Sequence, residues 1–351
     1  MPIIQERLIT PSGGSTIFEV TQRCNNNCLY CYNVWKGDQP YPQGELDTAG
    51  AKEILLKVSR ECPTKYFAFS GGEPLLRQDI VELISYSTWL GLVPTLITNG
   101  TLLDSTKVTE LIRAGTQLFE LPLLSSEKSI HDGLCRNKSF DTVIESLISI
   151  KEKQGRVVVV FVATKWNIQS LEETLNLCLA LGVDGLMLNR FNPGGEGMRH
   201  IDELLPSMEN MKEALEIANQ FAKEYRFSIS CGIAIHPCLI DTTPFAYVGF
   251  GYCGAGTYRS YYTIDSIGNL RACNHTPSIL GNFLNEPYSQ LIARKKVASF
   301  MKARPEFCDP CPYRFTCQGG CKASAQVCYG DLCHIDPFLE RNIQYASIPN
   351  N

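Results

Sequence analysis

Residues 16–35 hold the feature that most constrains this chain. A β-rich run, Thr16 to Val20, ends in a polar turn, and Cys24, Cys28 and Cys31 follow within eight positions. Three thiolates from one short loop can hold three corners of a cubane iron–sulfur cluster, because soft sulfur ligands suit iron. The fourth iron then has no protein ligand nearby and stays open to another partner. Closed structural zinc sites take four ligands, usually from two C-x2-C pairs, and Cys24-x3-Cys28-x2-Cys31 is not that pattern. A zinc knuckle or three unrelated buried thiols are the plainer alternatives.

The 351 residues are enough for one large domain with a smaller one beside it, or for two of middling size. The 44% hydrophobic and 19% charged content is that of an ordinary globular protein. No stretch reaches the ~18 unbroken apolar residues that would span a bilayer. The N-terminal residues 1–7 lack the basic-then-apolar order of a secretory signal, so a cytoplasmic location is expected. A net charge of −4 without a basic run argues against nucleic acid bound through its phosphates. The 16 cysteines in a long chain of this kind point to metal or redox chemistry. Cys62, Cys135 and Cys178, scattered singly among apolar neighbours, read as small core residues.

After the cysteine loop, strands and helices alternate. A helix capped by Asp47 or Thr48 precedes the strand Tyr66–Phe69, which runs into Ser70-Gly71-Gly72-Glu73-Pro74. Two glycines let the backbone pass close to a ligand and expose its N–H groups, while Glu73 supplies an acceptor. Ile80–Leu90, Ser105–Ala114, Phe140–Lys153 and Ser170–Leu181 read as helices, and Val93–Thr98, Leu118–Leu123, Val157–Val162 and Gly185–Asn189 as strands. Such alternation implies βα units and a parallel sheet, with the site at the carboxyl ends of the strands. A further helix, Met208–Tyr225, leads to a boundary near His236.

Cys24-x3-Cys28-x2-Cys31, with the aromatic Tyr30 before the last cysteine, resembles the signature of radical S-adenosylmethionine (radical SAM) enzymes. The resemblance implies an α/β fold built on an incomplete (β/α)6 barrel, a [4Fe-4S] cluster on the three cysteines and SAM on its open iron. Gly71-Gly72-Glu73-Pro74 matches the family motif that contacts the methionine amino group, and Thr98-Asn99-Gly100 looks like the family's Thr-Asn-Gly. His131-Asp132, Arg136 and Phe140 resemble the stretch after the fourth strand. There the chain departs from the pattern, because Leu123-Leu124-Ser125-Ser126 stands where Ser-Leu-Asp-Gly is usual, leaving Ser125 as the candidate ribose contact. Arg190 after the sixth strand is either a cofactor contact or a solvated loop cation.

The C-terminal spacing Cys253-x14-Gly268-x4-Cys273, then Cys308-x2-Cys311-x5-Cys317-x3-Cys321, resembles the SPASM extension of the same enzymes, a small cysteine-rich domain with a β-hairpin and short helices. Tyr261–Cys273 reads as its hairpin, with Gly268-Asn269 at the turn. By that resemblance Cys253, Cys273 and Cys321 hold one auxiliary cluster, and Cys308, Cys311 and Cys317 a second. The family's seventh cysteine follows an Asp-Pro. Here Asp336-Pro337 is followed by Phe338-Leu339, so Cys328 or Cys333 substitutes or another ligand serves. Cys238 is the candidate to complete the first cluster. The expected domains are a tail over 1–15, the barrel over 16–235 and the auxiliary-cluster domain over 236–351.

The resemblance implies reductive cleavage of SAM and hydrogen-atom abstraction from a substrate, with an electron donor of the flavodoxin or ferredoxin kind. The favoured substrate is a ribosomally made peptide, and a haem precursor or sugar is the alternative. Only residues 1–15 precede the first strand, so a peptide leader would need a discrete binding protein or none. His236, His275 and Tyr258 are candidates to line the cleft. The competing class is an electron carrier or structural zinc protein without SAM, against which Gly71-Gly72-Glu73 speaks.

Overall fold

The computed structural model describes residues 14–343 apart from 39 and 258, so Tyr258 lies outside the described residues. The alternation read from the sequence is present. β1 (Ser15–Thr21) is followed by α1 (Thr48–Glu61), β2 (Tyr66–Gly71), α2 (Ile80–Trp89), β3 (Val93–Ile97), α3 (Ser105–Ala114) and β4 (Leu118–Pro122). Next come α4 (Lys128–Cys135), α5 (Phe140–Glu152), β5 (Val157–Ala163), α6 (Leu171–Ala180), β6 (Gly185–Arg190), α7 (Ile201–Leu204) and α8 (Met208–Tyr225). Local chemistry sets the helix starts: the side chains of Asp47, Asp104 and Ser207 accept from the amides of Gly50, Lys107 and Asn210.

Beyond α8 the chain adds β7 (Ile229–Cys231), β8 (Val248–Phe250), β9 (Tyr261–Ile264), β10 (Asn269–Arg271) and β11 (Ile279–Asn282). The short helices α9 (Tyr288–Ile292), α10 (Lys295–Lys302), α11 (Lys322–Tyr329) and α12 (Pro337–Ile343) follow. All the strands belong to one sheet of order β11-β10-β9-β1-β2-β3-β4-β5-β6-β7-β8. Pairing is parallel from β9 through β1 to β8, and antiparallel only in β9-β10-β11. The anticipated hairpin therefore docks its first strand on β1, Ser15 opposite Tyr261, and the segment beyond residue 236 supplies both edges of the barrel sheet. β7 and β8 extend the sheet past its sixth strand.

Burial alternates with strand period on the central strands. Leu96, Phe119, Leu121, Phe161 and Leu188 face the helices and are fully buried. On the opposite face Ile97, Glu120, Val160, Val162, Met187 and Asn189 keep partial exposure. That face of the sheet, the lumen side, is thus partly open to solvent where the opposite face is fully packed. Glu19 of β1 forms an ion pair with Arg271 of β10, both buried, tying the hairpin to the first strand. No helix among the described residues is long and apolar enough to cross a membrane.

Candidate active site and auxiliary cysteine sets

The cysteine loop leaves β1 and is gripped by three neighbouring segments. Gly72 N donates to Thr21 O at 2.8 Å and Glu73 N to Arg23 O at 2.8 Å, prolonging the β1–β2 pairing past its strands. A Cβ at Gly71, where φ is +135°, would lie 2.3 Å from Thr21 O, and one at Gly72 would lie 2.1 Å from Arg23 O. Both glycines are therefore required for backbone contact with the cysteine loop, and the N–H of Gly72, expected to face a ligand, is spent on the chain. Leu29 N donates to Leu134 O at 2.9 Å, and Gly197 N, from the loop after β6, to Cys31 O at 2.9 Å.

Cys24, Cys28 and Cys31 act on one another electrostatically, and Lys36 is the cation that all three sense. Burial pushes the Cys31 thiol up to about 12 and raises Cys24 as well. Cys28 meets two further groups, the Tyr30 hydroxyl and the Cys135 thiol, and is held well above the ordinary thiol range, with Cys135 the largest cause. Cys135 is buried as the sequence suggested, but it sits against the cysteine triplet, between Cys28 and His131. Three thiols on one braced loop fit the donor set of a three-cysteine iron–sulfur cluster. Among the described residues no group of three His, Cys, Asp or Glu side chains stands as a single-ion site.

Glu73 is buried, and Pro74 opens the short turn after it. Its carboxylate accepts from Leu75 N at 3.0 Å, Thr98 Oγ1 at 2.7 Å and Asn99 N at 2.7 Å. Burial raises its pKa against those hydrogen bonds. Asn99 in turn donates to Asn25 Oδ1 at 2.8 Å, inside the cysteine loop. The Gly-Gly-Glu and Thr-Asn segments thus form one clamp over the carboxyl ends of β1, β2 and β3.

The other anticipated contacts lie elsewhere. Ser125 is buried, its hydroxyl 2.8 Å from Ser170 Oγ and accepting from Glu127 N at 3.0 Å, so it is held by the turn before α4 and by Ser170. His131 and Asp132 also point inward: His131 Nδ1 accepts from Leu124 N at 3.2 Å, and Asp132 accepts from the Ser139 and Phe140 amides at the start of α5. Arg136 ends α4 with φ at +49° and reaches Glu196 at 3.3 Å. Arg190 is neither a solvated cation nor free for a cofactor. It is fully buried and donates to Asp336 Oδ2 at 2.6 Å and to Ala234 O at 2.8 Å, with its guanidinium 5.0 Å from the Phe338 ring. A single arginine after a strand carries no sequence signal that its partner lies 146 residues away.

The C-terminal cysteines fall into two groups. Cys273 senses Cys253 and Cys321, and burial pushes it up to about 12. Cys328 lies near Cys321 and Asp336, and Cys333 near Lys322, which senses Cys253 too. The second group is Cys308, Cys311 and Cys317, and with them stands Cys238. The expectation that Cys238 completes the first set is thereby corrected, because the turn at His236 aims it at the opposite group.

A row of polar groups joins the cysteine loop to the first auxiliary set. Tyr32, next to Cys31, stacks on His275 with ring centres 4.0 Å apart, and its hydroxyl accepts from Asn274 Nδ2 at 2.9 Å. Asn192 Nδ2 lies 3.2 Å from His275 Nδ1 and donates to Cys321 Sγ at 3.3 Å. Burial lowers His275 to about 3. His236 is also buried, its Nε2 3.6 Å from Asp336 Oδ2, and packs away from the lumen. Sequence reasoning missed Glu120 of β4. Its carboxyl is in the lumen without a hydrogen bond or ion pair among the described residues, and desolvation alone raises it to about 7. An acid at an inward position of an otherwise apolar strand was the available signal.

Residues 18–178 match the family model described as the Radical SAM superfamily. The chain is 26% identical over 338 residues to an AdoMet-dependent heme synthase of Methanosarcina barkeri, covering 92% of this chain and 94% of that protein. Its fold is similar to Streptococcus suis SuiB bound to S-adenosylmethionine, with TM-score 0.71, 15% identity, and 89% and 73% of the two chains covered. It is also similar to anSMEcpe with bound AdoMet, with TM-score 0.72, 17% identity, and 93% and 94% covered. With the cysteine triplet, the Glu73 clamp and the open parallel sheet in place, residues 18–178 form a domain of the Radical SAM superfamily.

Proposed function

We propose that the chain is a radical SAM oxidoreductase of the SPASM type that acts on a peptide held in the open lumen. The observation that carries this reading is the row Tyr32–His275–Asn192, which links the cysteine triplet to Cys321 of the first auxiliary set. Cys24, Cys28 and Cys31 would hold a [4Fe-4S] cluster, which with bound SAM supplies a 5′-deoxyadenosyl radical able to take a hydrogen atom from a substrate. Glu73, Thr98 and Asn99 fix the loops that position SAM, and the partly exposed apolar wall of Ile97, Val160, Val162 and Met187 keeps water from the substrate. Cys253, Cys273 and Cys321 would hold one auxiliary cluster and the Cys308 group another, fed by an external flavodoxin or ferredoxin.

A peptide substrate is supported by SuiB bound to its precursor peptide SuiA, which shares this fold with TM-score 0.71. The Methanosarcina barkeri heme synthase, matched almost end to end, favours a second reading in which the substrate is a haem precursor. Anaerobic incubation with SAM and dithionite tests the chemistry. The parent should form 5′-deoxyadenosine, and a variant with Cys24, Cys28 and Cys31 all changed to Ala should not. Mass spectrometry of precursor peptides and of an iron porphyrin then separates the substrates. Conversion of the porphyrin alone would overturn the peptide reading.

A further inference from the structure

Two consecutive glycines, Gly319 with φ +84° and Gly320 with φ +89°, bring distant parts of the chain together. Gly320 N donates to Cys317 O at 3.1 Å. A Cβ at Gly320 would lie 2.0 Å from His236 Nε2, and one at Gly319 would lie 3.6 Å from Cys308 Sγ. The bend that starts at His236 is closed by Leu239 N and Ile240 N, both donating to His236 O, and Cys238 rides on it. His236 therefore seats that bend against the segment between Cys317 and Cys321, while Cys308 packs on the adjacent glycine. The two glycines thus place the bend that carries Cys238 beside the segment that carries Cys308 and Cys317.

Resting on the reading of the C-terminal array as cluster-binding, we propose that Cys238, Cys308, Cys311 and Cys317 form one four-thiol set that holds the second auxiliary cluster. Cys238, from upstream of the hairpin, takes the place left by the missing thiol after Asp336-Pro337. The electrostatics agree with the geometry: Cys238 senses Cys311, while Cys308 and Cys317 both sense Cys238. Soft thiolates in a group of four are the donor set of a [4Fe-4S] cluster. Cys328 and Cys333 lie on the side of the first set, beside Cys321 and Lys322. Four protein thiolates leave no iron open, so this cluster moves electrons or anchors the C-terminal segment and does not bind substrate.

The test uses full-length protein carrying Cys24, Cys28 and Cys31 all changed to Ala, so that only auxiliary clusters contribute after anaerobic reconstitution. Iron and sulfide counts, Mössbauer and electron paramagnetic resonance spectra are compared for Cys238→Ser, Cys311→Ser and Cys333→Ala in that background, with circular dichroism verifying the fold. Cys238→Ser and Cys311→Ser should change the same cluster signal and lower iron by similar amounts, and Cys333→Ala should leave that signal in place. An unchanged spectrum in Cys238→Ser, with the signal lost in Cys333→Ala, overturns the proposal while leaving the auxiliary clusters standing. A background protein that takes up no iron or sulfide at all overturns the auxiliary-cluster reading itself.

Discussion

Arg190 donates to Asp336 at 2.6 Å in a pair from which solvent is fully excluded, and the same Asp336 oxygen accepts from Cys321 N at 2.7 Å. One carboxylate thus joins the end of β6 to Cys321, the residue that precedes helix α11. Desolvation would push the Asp336 pKa up, yet Arg190 and the amides of Cys321 and Phe338 hold it below the ordinary carboxylate range.

Removing one partner leaves a buried charge unpaired. Arg190→Met should cost about 3–5 kcal/mol in anaerobic chemical denaturation, and Arg190→Met with Asp336→Leu should recover much of that loss. Because the folded pKa of Asp336 is depressed, its contribution is present above the unfolded value near 3.8 and is lost as pH falls through the lower folded value. The acid limb of the stability profile should flatten in the double variant.

Gly72→Ala tests the grip on the cysteine loop. The added methyl would meet the Arg23 carbonyl oxygen at 2.1 Å, so the loop must move. The expected outcome is a folded protein with a destabilisation of about 1–3 kcal/mol and a clear loss of iron from the Cys24, Cys28 and Cys31 site, read as iron per chain after reconstitution. Full iron retention would show that the loop tolerates the displacement.

Glu120 gives a pH signature of opposite sign to Asp336. Desolvation lifts it from 4.5 to about 7 in the fold, with no partner among the described residues. Tyr32 and Tyr261 face it, and the Glu19–Arg271 pair lies in the same lumen. Burial favours the protonated form of Glu120 over the ionised one. Its contribution is therefore fully present below pH 4.5 and is lost as pH rises through about 7. Glu120→Gln should gain up to about 3 kcal/mol over the parent at pH 8 and none near pH 4. Thermal melts across that range measure it, and parallel curves would place the carboxyl in water.

Much was legible before any coordinates. Strand and helix periods, the Asp47 cap, the Gly268-Asn269 turn and the cysteine spacings are local properties, and local chemistry carries them into the structure. The open parallel sheet follows from βα alternation. The same reasoning failed where a residue's role depends on a distant partner. Ser125 and Arg190 occupy positions where a cofactor contact was reasonable, but both are buried on protein partners.

What the sequence by itself determined is the set of chemical groups and the order in which the strands present them: three thiols on one loop, Glu73 on the next and Thr98-Asn99 on the third. Only the tertiary structure decided which groups meet. It turned Arg190 onto Asp336, left Glu120 alone in the lumen and carried Cys238 to the later cysteines. The reason is that spacing along the chain specifies side chains within a turn or a strand. Pairing across 50 to 150 residues is specified by which surfaces the whole sheet buries together.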